Sequence, residues 1–505
     1  MSNNQFTRRE ILKISGVALG GVAVGASSVT EAGWNEDSHP DPSQQNTYFQ
    51  SLKPFIPGEP LSKGEMRISF MGTSPILRLA QAAASVFVEL GNGKNSNGQY
   101  DQAYNDCFVF DCGTGSSINY DAMGIQMSKM RKVFLTHLHG DHMSDLTQIY
   151  CFGAQQDGKS PLYIWGPSRS FVNDPLTKKD YDDGTCNFAY HFREMNRWHT
   201  ESQSFWGTQW NDAEGDGYDI FATELDWRSG GSKPPALPTT WTTNDALNTS
   251  NKAHLSKKKW VAYYDKTNDV KISFFPAVHD RNGSISYKLE WNGLSMIYGG
   301  DTKPSQIMID NANGVDVLIH EMVVAPEVWS SKQGGSADPD SLGVFVAETI
   351  EENSHTPEKA FGYILGKLKK PPRLAVATHF QAEDDTIRVA LHNIQCFYKG
   401  PVSIATDLVV LNVSKSRIME RRAVVSDFTW NPPAADPRAE GGTKDPKYID
   451  NNAGNPYKPN APLSQFDQAL LNKVIDPCLY NTSAWNCGGS YQTYVPKSYV
   501  IGQEK

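Results

Sequence analysis

The sequence has no Cys-x-x-Cys pair, although it contains seven cysteines: Cys107, Cys112, Cys151, Cys186, Cys396, Cys478 and Cys487. Without that spacing, a zinc ribbon or a thiol redox motif is excluded. Cys478 and Cys487 are close enough in sequence to close a short loop as a disulfide in an oxidising compartment. We expect the other five cysteines to pack as small apolar side chains.

An excess of basic residues is also missing. Lys and Arg number 47 against 56 Asp and Glu, which gives a formal net charge of -9. Dedicated nucleic-acid-binding proteins normally carry a basic face, so this composition argues against that class. With 39% hydrophobic and 20% charged residues among 505, the chain has the composition of a globular protein.

Long apolar runs are scarce, and the one that stands out is residues 14–29, which follow Arg8 and Arg9 in the segment TRREILK. An arginine pair before a short, uncharged, Gly-rich run is typical of a twin-arginine export signal. We expect residues 1–32 to be this signal, with the Tat export machinery as a partner. The mature protein is then expected to be periplasmic or secreted, without a stable membrane span.

Alternating strand-like and helix-like patterns predict one α/β domain over residues 66–420. Residues 33–65 are predicted to be a leader or linker, and residues 173–268, which mix charges, Gly and Trp without a sustained period, an insertion. Residues 421–505 are rich in Pro, Asn and Gly, and we expect them to be a C-terminal extension packed on the core. The oligomeric state is not predicted.

The most informative stretch is THLHGDH at residues 136–142, which contains four metal-ligand side chains: His137, His139, Asp141 and His142. In an extended segment His137 and His139 project to the same side, and Gly140 permits a turn that brings the other two to a second position. This arrangement predicts two metal ions. Imidazole and carboxylate ligands without thiolate suit Zn²⁺, with Fe or Mn as substitutes.

Three further ligand side chains follow apolar, strand-like runs. His279 follows KISFFPAV, Asp301 follows LSMIYGG and His379 follows RLAVAT. Side chains at the ends of neighbouring strands can meet at one edge of a sheet although they are distant in sequence. We therefore expect these three residues to complete a dinuclear site.

With these features the chain resembles the metallo-β-lactamase superfamily, in its ribonuclease Z and arylsulfatase-like branch, and is also similar to metallo-hydrolases labelled for guanitoxin biosynthesis. The shared motifs are GTSP, FDCGTG, THLHGDH, YGGDT, LIHE, SHTPEKA, ATHF and TDLVVLNV, within residues 66–170 and 270–413. The resemblance implies an α/β fold, the αββα sandwich of metallo-β-lactamases, to which this chain adds the insertion and the extended tail.

The resemblance also implies the assignment of the ligands. His137, His139 and His279 would hold one metal, Asp141, His142 and His379 the other, and Asp301 would bridge them. Common β-lactamases of this superfamily have a Cys among the ligands of the second metal, so antibiotic hydrolysis is disfavoured here. Two zinc ions would lower the pKa of bound water to about 7 and provide a bridging hydroxide, which Asp141 is expected to orient.

A leaving group also needs a proton. In ribonuclease Z-like enzymes a carboxylate–imidazole pair assists this step, and Glu321 in LIHEM and His355 in NSHTPEKA match those positions. The predicted catalytic residues are thus Asp141, Glu321 and His355, the alternative for the last two being structural polar groups. For His320 we expect packing or a supporting hydrogen bond, and for Asp111 a turn or a hydrogen bond to a ligand.

The expected function is that of an exported dinuclear zinc hydrolase cleaving small anionic sulfate or phosphate esters, arylsulfatase-like or phosphodiesterase. The alternatives are a ribonuclease Z-like endoribonuclease, a lactone or β-lactam hydrolase, and a metal-binding protein without catalysis. Export would separate the protein from tRNA, which disfavours the first. A storage site needs no proton donor, so the Glu321–His355 pair disfavours the last.

Replacing Arg8 and Arg9 together with Lys is expected to retain the protein in the cytoplasm, because the twin-arginine route reads the arginine pair itself. Cell fractionation with immunodetection measures this. Unchanged export of the Lys variant would show that this segment is not read by that route.

Overall fold

The structure is a computed structural model and describes residues 47–157, 162–199, 210–211, 215–216, 220–227 and 260–426. The predicted export signal, Cys478, Cys487 and most of the predicted C-terminal extension lie outside these residues. Of the five described cysteines, all free, Cys107, Cys112, Cys151 and Cys186 are buried, as expected of small apolar side chains. Cys396 is exposed, contrary to expectation, because it caps the C-terminal end of a surface helix.

Within the described residues, the first large sheet contains nine strands: β1 (Tyr48–Gln50), β2 (Met66–Gly72), β3 (Ser85–Leu90), β4 (Asp106–Phe110), β5 (Lys132–Phe134), β6 (Leu162–Pro167), β9 (Ile220–Leu225), β17 (Val409–Val413) and β18 (Ile418–Arg422). Their order is β1-β18-β17-β2-β3-β4-β5-β6-β9. Strands β4, β5, β6 and β9 run parallel. Two short strands, β7 (Trp210–Asn211) and β8 (Gly215–Asp216), pair with each other in a separate antiparallel sheet.

The second large sheet contains, in spatial order, β10 (Val261–Asp265), β11 (Val270–Pro276), β12 (Ile285–Trp291), β13 (Leu294–Tyr298), β14 (Val317–Glu321), β15 (Leu374–Thr378) and β16 (Val402–Ile404). Neighbouring strands from β10 to β13 pair antiparallel, and those from β13 to β16 pair parallel. Asn292 and Gly293 join β12 to β13 with φ of 53° and 74°. Positive φ at both positions makes the tight turn that matches the twist of a hairpin.

The helices are α1 (Ser116–Ala122), α2 (Gly140–Met143), α3 (Leu146–Asp157), α4 (Thr185–Met195), α5 (Gln306–Ala312), α6 (Pro326–Lys332), α7 (Leu342–Ser354), α8 (Glu358–Gly366) and α9 (Asp384–Gln395). Ser305 and Ser341 cap α5 and α7 by accepting hydrogen bonds from the backbone N–H groups three residues later. Among the described residues, no helix is long and apolar enough to cross a membrane.

The two sheets pack face to face. Their shared core includes Phe134, whose ring stacks on Trp165 at 4.6 Å, and Phe274 and Tyr287 from the second sheet. A second apolar cluster joins the outer face of the first sheet to α3 and α4, and a third joins the second sheet to α5, α8 and α9. Helices therefore cover both outer faces, and the predicted αββα sandwich is confirmed.

Two segments differ from the sequence prediction. The supposed insertion at 173–268 contributes α4, β9 and β10 to the domain, and β9 is buried at all six positions. The supposed leader at 33–65 contains β1, which pairs with β18. In both cases a short strand is flanked by polar residues and its partner is distant in sequence, so local periodicity did not reveal it.

Candidate metal centre

The ligand-type side chains come from strand ends at one edge of the two sheets. His137 and His139 follow β5 and lead into α2, which contains Asp141 and His142. In the second sheet, His279, Asp301 and His379 follow β11, β13 and β15, and Glu321 is the last residue of β14. Since β13, β14 and β15 are parallel neighbours, their carboxyl ends converge on the same region.

The first group consists of His137, His139 and His279. One ring nitrogen of each lies within 4.8 Å of the others. The Nε2 atom of His279 is 3.2 Å from Nδ1 of His139, and the ring centroids of His137 and His279 are 4.7 Å apart. Three imidazoles at these distances can bind one metal ion.

The second group consists of Asp141, His142, Asp301 and His379. The Nε2 atom of His142 is 3.2 Å from an Asp301 oxygen, and the Nε2 atom of His379 is 3.2 Å from an Asp141 oxygen. Asp301 also lies 3.9 Å from His137 and 3.8 Å from His279, both in the first group. This carboxylate therefore sits between the two groups, where a bridging ligand is needed.

Several polar atoms of this cluster are buried without a hydrogen-bond partner among the described residues. They include Nε2 of His137 and Nδ1 of His379. Leaving buried polar atoms unpaired is costly, and native proteins rarely do so. Nitrogen and carboxylate donors without thiolate match a zinc site, so the residues present fit the implied metals.

Hydrogen bonds on the far side of the rings fix their orientation. Asp111, at φ 54°, accepts a 2.7 Å hydrogen bond from Nδ1 of His142 and two more from the backbone and hydroxyl of Thr136. Nδ1 of His279 donates to the carbonyl of Ser354 at 3.0 Å. In both histidines Nε2 is then left as the ligand atom. The supporting role expected of Asp111 fits this geometry, whereas that of Ser354 was not predicted.

Glu321 and His355 form a buried pair beside the second group. Nδ1 of His355 donates to Glu321 at 2.9 Å, and the other carboxylate oxygen of Glu321 accepts from the Thr302 N–H at 2.6 Å. His355 Nδ1 is 3.9 Å from Asp301. Asp301, Glu321, His355 and His379 are close enough to form a third, overlapping metal-ligand group.

His320 takes a different position. Its Nδ1 donates to the carbonyl of Glu321 at 2.7 Å, and its ring stacks on Phe361 at 5.4 Å. Burial lowers its pKa to about 4, so the ring is neutral. This agrees with a packing role.

The electrostatics of the cluster are dominated by carboxylates close to imidazoles. Burial opposes charge on His355, but Glu321 and Asp301 outweigh it and raise the pKa of His355 to about 9. For Asp301, burial is outweighed by His142, His379 and His137, which hold its pKa well below the usual range. Burial and the neighbouring His142 lower the pKa of His137 well below normal, which keeps its ring nitrogen free to bind a metal.

The structure thus brings together every side chain predicted from sequence to bind metal or to assist catalysis. The roles of these side chains in metal binding and catalysis stay predictions. The sequence model of the Metallo-beta-lactamase superfamily matches residues 103–150, which include the first four of these ligands.

Comparison with known proteins gives partial matches. Ribonuclease Z from Prochlorococcus marinus (strain AS9601) is 29% identical over 133 residues, which are 26% of this chain and 38% of the relative. Ribonuclease Z from Prochlorococcus marinus (strain MIT 9312) is 24% identical over 267 residues, covering 52% of this chain and 77% of the relative. The chain thus spans less than half the length of the first of these curated relatives.

Among solved structures, the short form of human tRNase Z (ELAC1) aligns with a TM-score of 0.41 and 18% identity, covering 68% of this chain and 98% of that one. The sequence matches thus show similarity to the Metallo-beta-lactamase superfamily over residues 103–150 and distant similarity to ribonuclease Z and ELAC proteins.

After zinc reconstitution, the full chain is expected to bind about two metal ions, and Asp301→Asn to lose at least one of them, because an amide is a weaker and uncharged ligand. Elemental analysis of the dialysed protein measures this. Asp106→Asn is the matched control. Asp106 is a half-buried carboxylate that pairs with Lys132 at 2.8 Å, and it begins β4, whereas Asp111 beside the metal centre follows the end of that strand. Wild-type protein that retains no metal, or equal loss in both variants, would contradict the assignment.

Proposed function

We propose that the protein is a dinuclear metal-dependent hydrolase of anionic esters, with sulfate or phosphate esters of small molecules as substrates. The observation that carries this proposal is the position of the Glu321–His355 pair beside a seven-residue His and Asp cluster. A site that only stored metal would have no use for a proton donor.

The metals and the chain have separate tasks in this reaction. Two bound zinc ions supply a water-derived nucleophile at neutral pH and positive charge for an anionic ester. His137, His139 and His279 would hold one ion, Asp141, His142 and His379 the other, and Asp301 would contact both. Asp111 and the Ser354 carbonyl orient His142 and His279 through their Nδ1 atoms.

His355 is the proton donor to the leaving oxygen. Because its Nδ1 donates to Glu321, its Nε2 is the nitrogen available to a substrate. The carboxylate of Glu321 favours the protonated ring, and the Thr302 N–H holds that carboxylate in place. The side chain of His355 is 13% exposed, so it can be reached from outside while Glu321, at 1%, cannot. This geometry supports a role of His355 as general acid.

A ribonuclease Z-like activity is the second candidate, because relatives with that name match the chain. It uses the same phosphodiester chemistry on a nucleic acid. The formal net charge of -9 works against it, since nucleic-acid binding draws on a basic surface. Export through the twin-arginine route to the periplasm or beyond, which TRREILK supports, would also separate the protein from tRNA.

The zinc-loaded protein is expected to hydrolyse an aryl sulfate or a small phosphodiester, and to leave lactones, β-lactams and a precursor tRNA intact. Chromogenic assays and gel analysis of the RNA measure these activities. Asp301→Asn is the control for a contaminating enzyme, because its activity should fall with its metal content. Cleavage of the RNA alone would favour the second candidate, and hydrolysis of no compound would contradict the proposal.

His355→Ala is expected to keep its metal ions and to slow hydrolysis by about 10²–10⁴-fold for esters with a basic leaving group. The loss should shrink as the phenol becomes more acidic, because an acidic phenol leaves without protonation. Measuring kcat/KM over aryl esters of graded phenol pKa, with metal content in parallel, tests this.

His392→Ala, which removes an exposed histidine of α9, is the control and should change neither kcat/KM nor metal content. Asp141→Ala should lower metal content and should lower kcat/KM for all the esters alike. Equal slowing of every ester by His355→Ala, or loss of metal, would show that His355 is structural or a ligand.

A further inference from the structure

Helix α7 is covered on only one side by the described residues. Val344 and Ala347 on its inner side are buried. Its opposite side carries four large apolar side chains that are 43–76% exposed, namely Leu342, Phe345, Val346 and Ile350. We call these four residues the outer face of α7. A helix that is apolar on opposite sides is normally covered on both, and adjacent exposed apolar groups mark a surface that binds something.

The spacing of the outer face indicates what kind of partner fits it. Leu342, Val346 and Ile350 follow one another at intervals of four residues, so they form a single row along the helix. Rows of this kind pack against rows of the same spacing on a second helix. An amphipathic helix with apolar residues four apart is therefore the expected occupant.

The helix that carries this face also holds two groups of the candidate metal centre. Its last residue is Ser354, whose carbonyl accepts the hydrogen bond from His279 at 3.0 Å. His355 caps its end, and the His355 N–H donates to the Glu351 carbonyl at 3.1 Å. Any contact that stabilises α7 therefore also helps to fix the positions of His279 and His355.

The C-terminal extension contains a segment with the matching pattern. Residues 427–505 lie outside the described residues, and within them SQFDQALLNKVIDP occupies positions 464–477. Phe466, Leu470 and Val474 are spaced four residues apart, a Ser-x-x-Asp capping box begins the stretch, and a proline follows it. This pattern predicts an amphipathic helix over residues 464–476.

The length of the chain allows this segment to reach the outer face of α7. The described part of the chain ends at Ser426, 40 residues before Phe466. A chain of about 40 residues reaches up to about 130 Å when extended, more than twice the diameter of about 50 Å expected of a domain of this size. Because the segment belongs to the same molecule, its effective concentration at the face exceeds that of a separate partner.

Charge also favours this occupant. Glu348 and Glu352 are exposed beside the outer face and form no ion pair with a described residue. Lys473 lies next to Val474 in the segment and carries the complementary charge. The same two carboxylates would repel an anionic membrane surface, which argues against a membrane as the occupant.

We propose that residues 464–476 bind the outer face of α7 in the same chain. Phe466, Leu470 and Val474 then cover the row of apolar side chains on α7, and the burial of apolar surface on both partners drives the contact. The bound segment stabilises the helix whose end carries the Ser354 carbonyl and His355. The proposal is independent of the proposed ester hydrolase, because it concerns how the chain covers α7 and not what the site cleaves.

Hydrogen exchange of the full-length chain, followed by mass spectrometry, tests the contact from both partners. In wild-type protein the amides of residues 464–476 are expected to exchange at least about 10-fold more slowly than those of an unfolded peptide, and in Val346→Glu at the unfolded rate. Leu470→Glu, which places the charge on the other partner, is expected to make the amides of α7 exchange at least about 5-fold faster.

Each variant has a matched control that adds the same charge elsewhere. Val389→Glu alters an apolar side chain of α9 that is 51% exposed, and Gln468→Glu alters the polar side of the segment. Both controls should leave exchange in the segment and in α7 as in wild-type protein. Peptides from β12 and β13 report global folding, and they should be unchanged in all four variants.

Exchange of residues 464–476 at the unfolded rate in wild-type protein overturns the proposal, as does protection that persists in Val346→Glu. If Val346→Glu also loses protection in β12 and β13, Leu470→Glu decides, and unchanged exchange of α7 in that variant overturns the proposal. Sedimentation velocity is measured in parallel. A wild-type dimer that Val346→Glu dissociates would overturn it too, since a second copy would then cover the outer face.

Discussion

The buried carboxylate of Asp301 is the constraint on which the rest of the site depends. Nitrogen atoms of five histidines lie within 3.9 Å of its oxygens: His137, His142, His279, His355 and His379. Removing a carboxylate from water is expensive unless positive charge or hydrogen bonds replace the lost hydration. The strand ends of both sheets must therefore converge on Asp301 with nitrogen ligands facing it, and the hydrogen bonds of Asp111, Thr302 and Ser354 keep the surrounding groups in that orientation.

Much of this site could be predicted from sequence because its ligand side chains lie in short motifs. THLHGDH contains four candidate ligands within six residues, and His279, Asp301 and His379 each follow an apolar run that does form a strand. Strands of one sheet that run in the same direction have their carboxyl ends at the same edge, so residues that follow such strands are expected at a common rim.

Other features of the fold and the site could not be predicted from the local sequence pattern. Strand β9 lies in a polar, irregular segment, and its identity as a strand depends on pairing with β6. Strand β1 consists of three residues that owe their conformation to β18. The Ser354 carbonyl that orients His279 is a backbone group, which no side-chain motif encodes.

The distribution of ligands between the sheets has a consequence for folding. The first sheet supplies His137, His139, Asp141 and His142, and the second supplies His279, Asp301 and His379. An ion that binds both sets links the two sheets at one edge, and because the complete site exists only in the folded chain, its binding free energy stabilises the folded state. Metal binding then stabilises the packing of the first sheet on the second, which are otherwise held together by apolar contacts. Chelation should loosen the structure unevenly, and backbone amides near the rim should exchange with solvent well before those in the central strands.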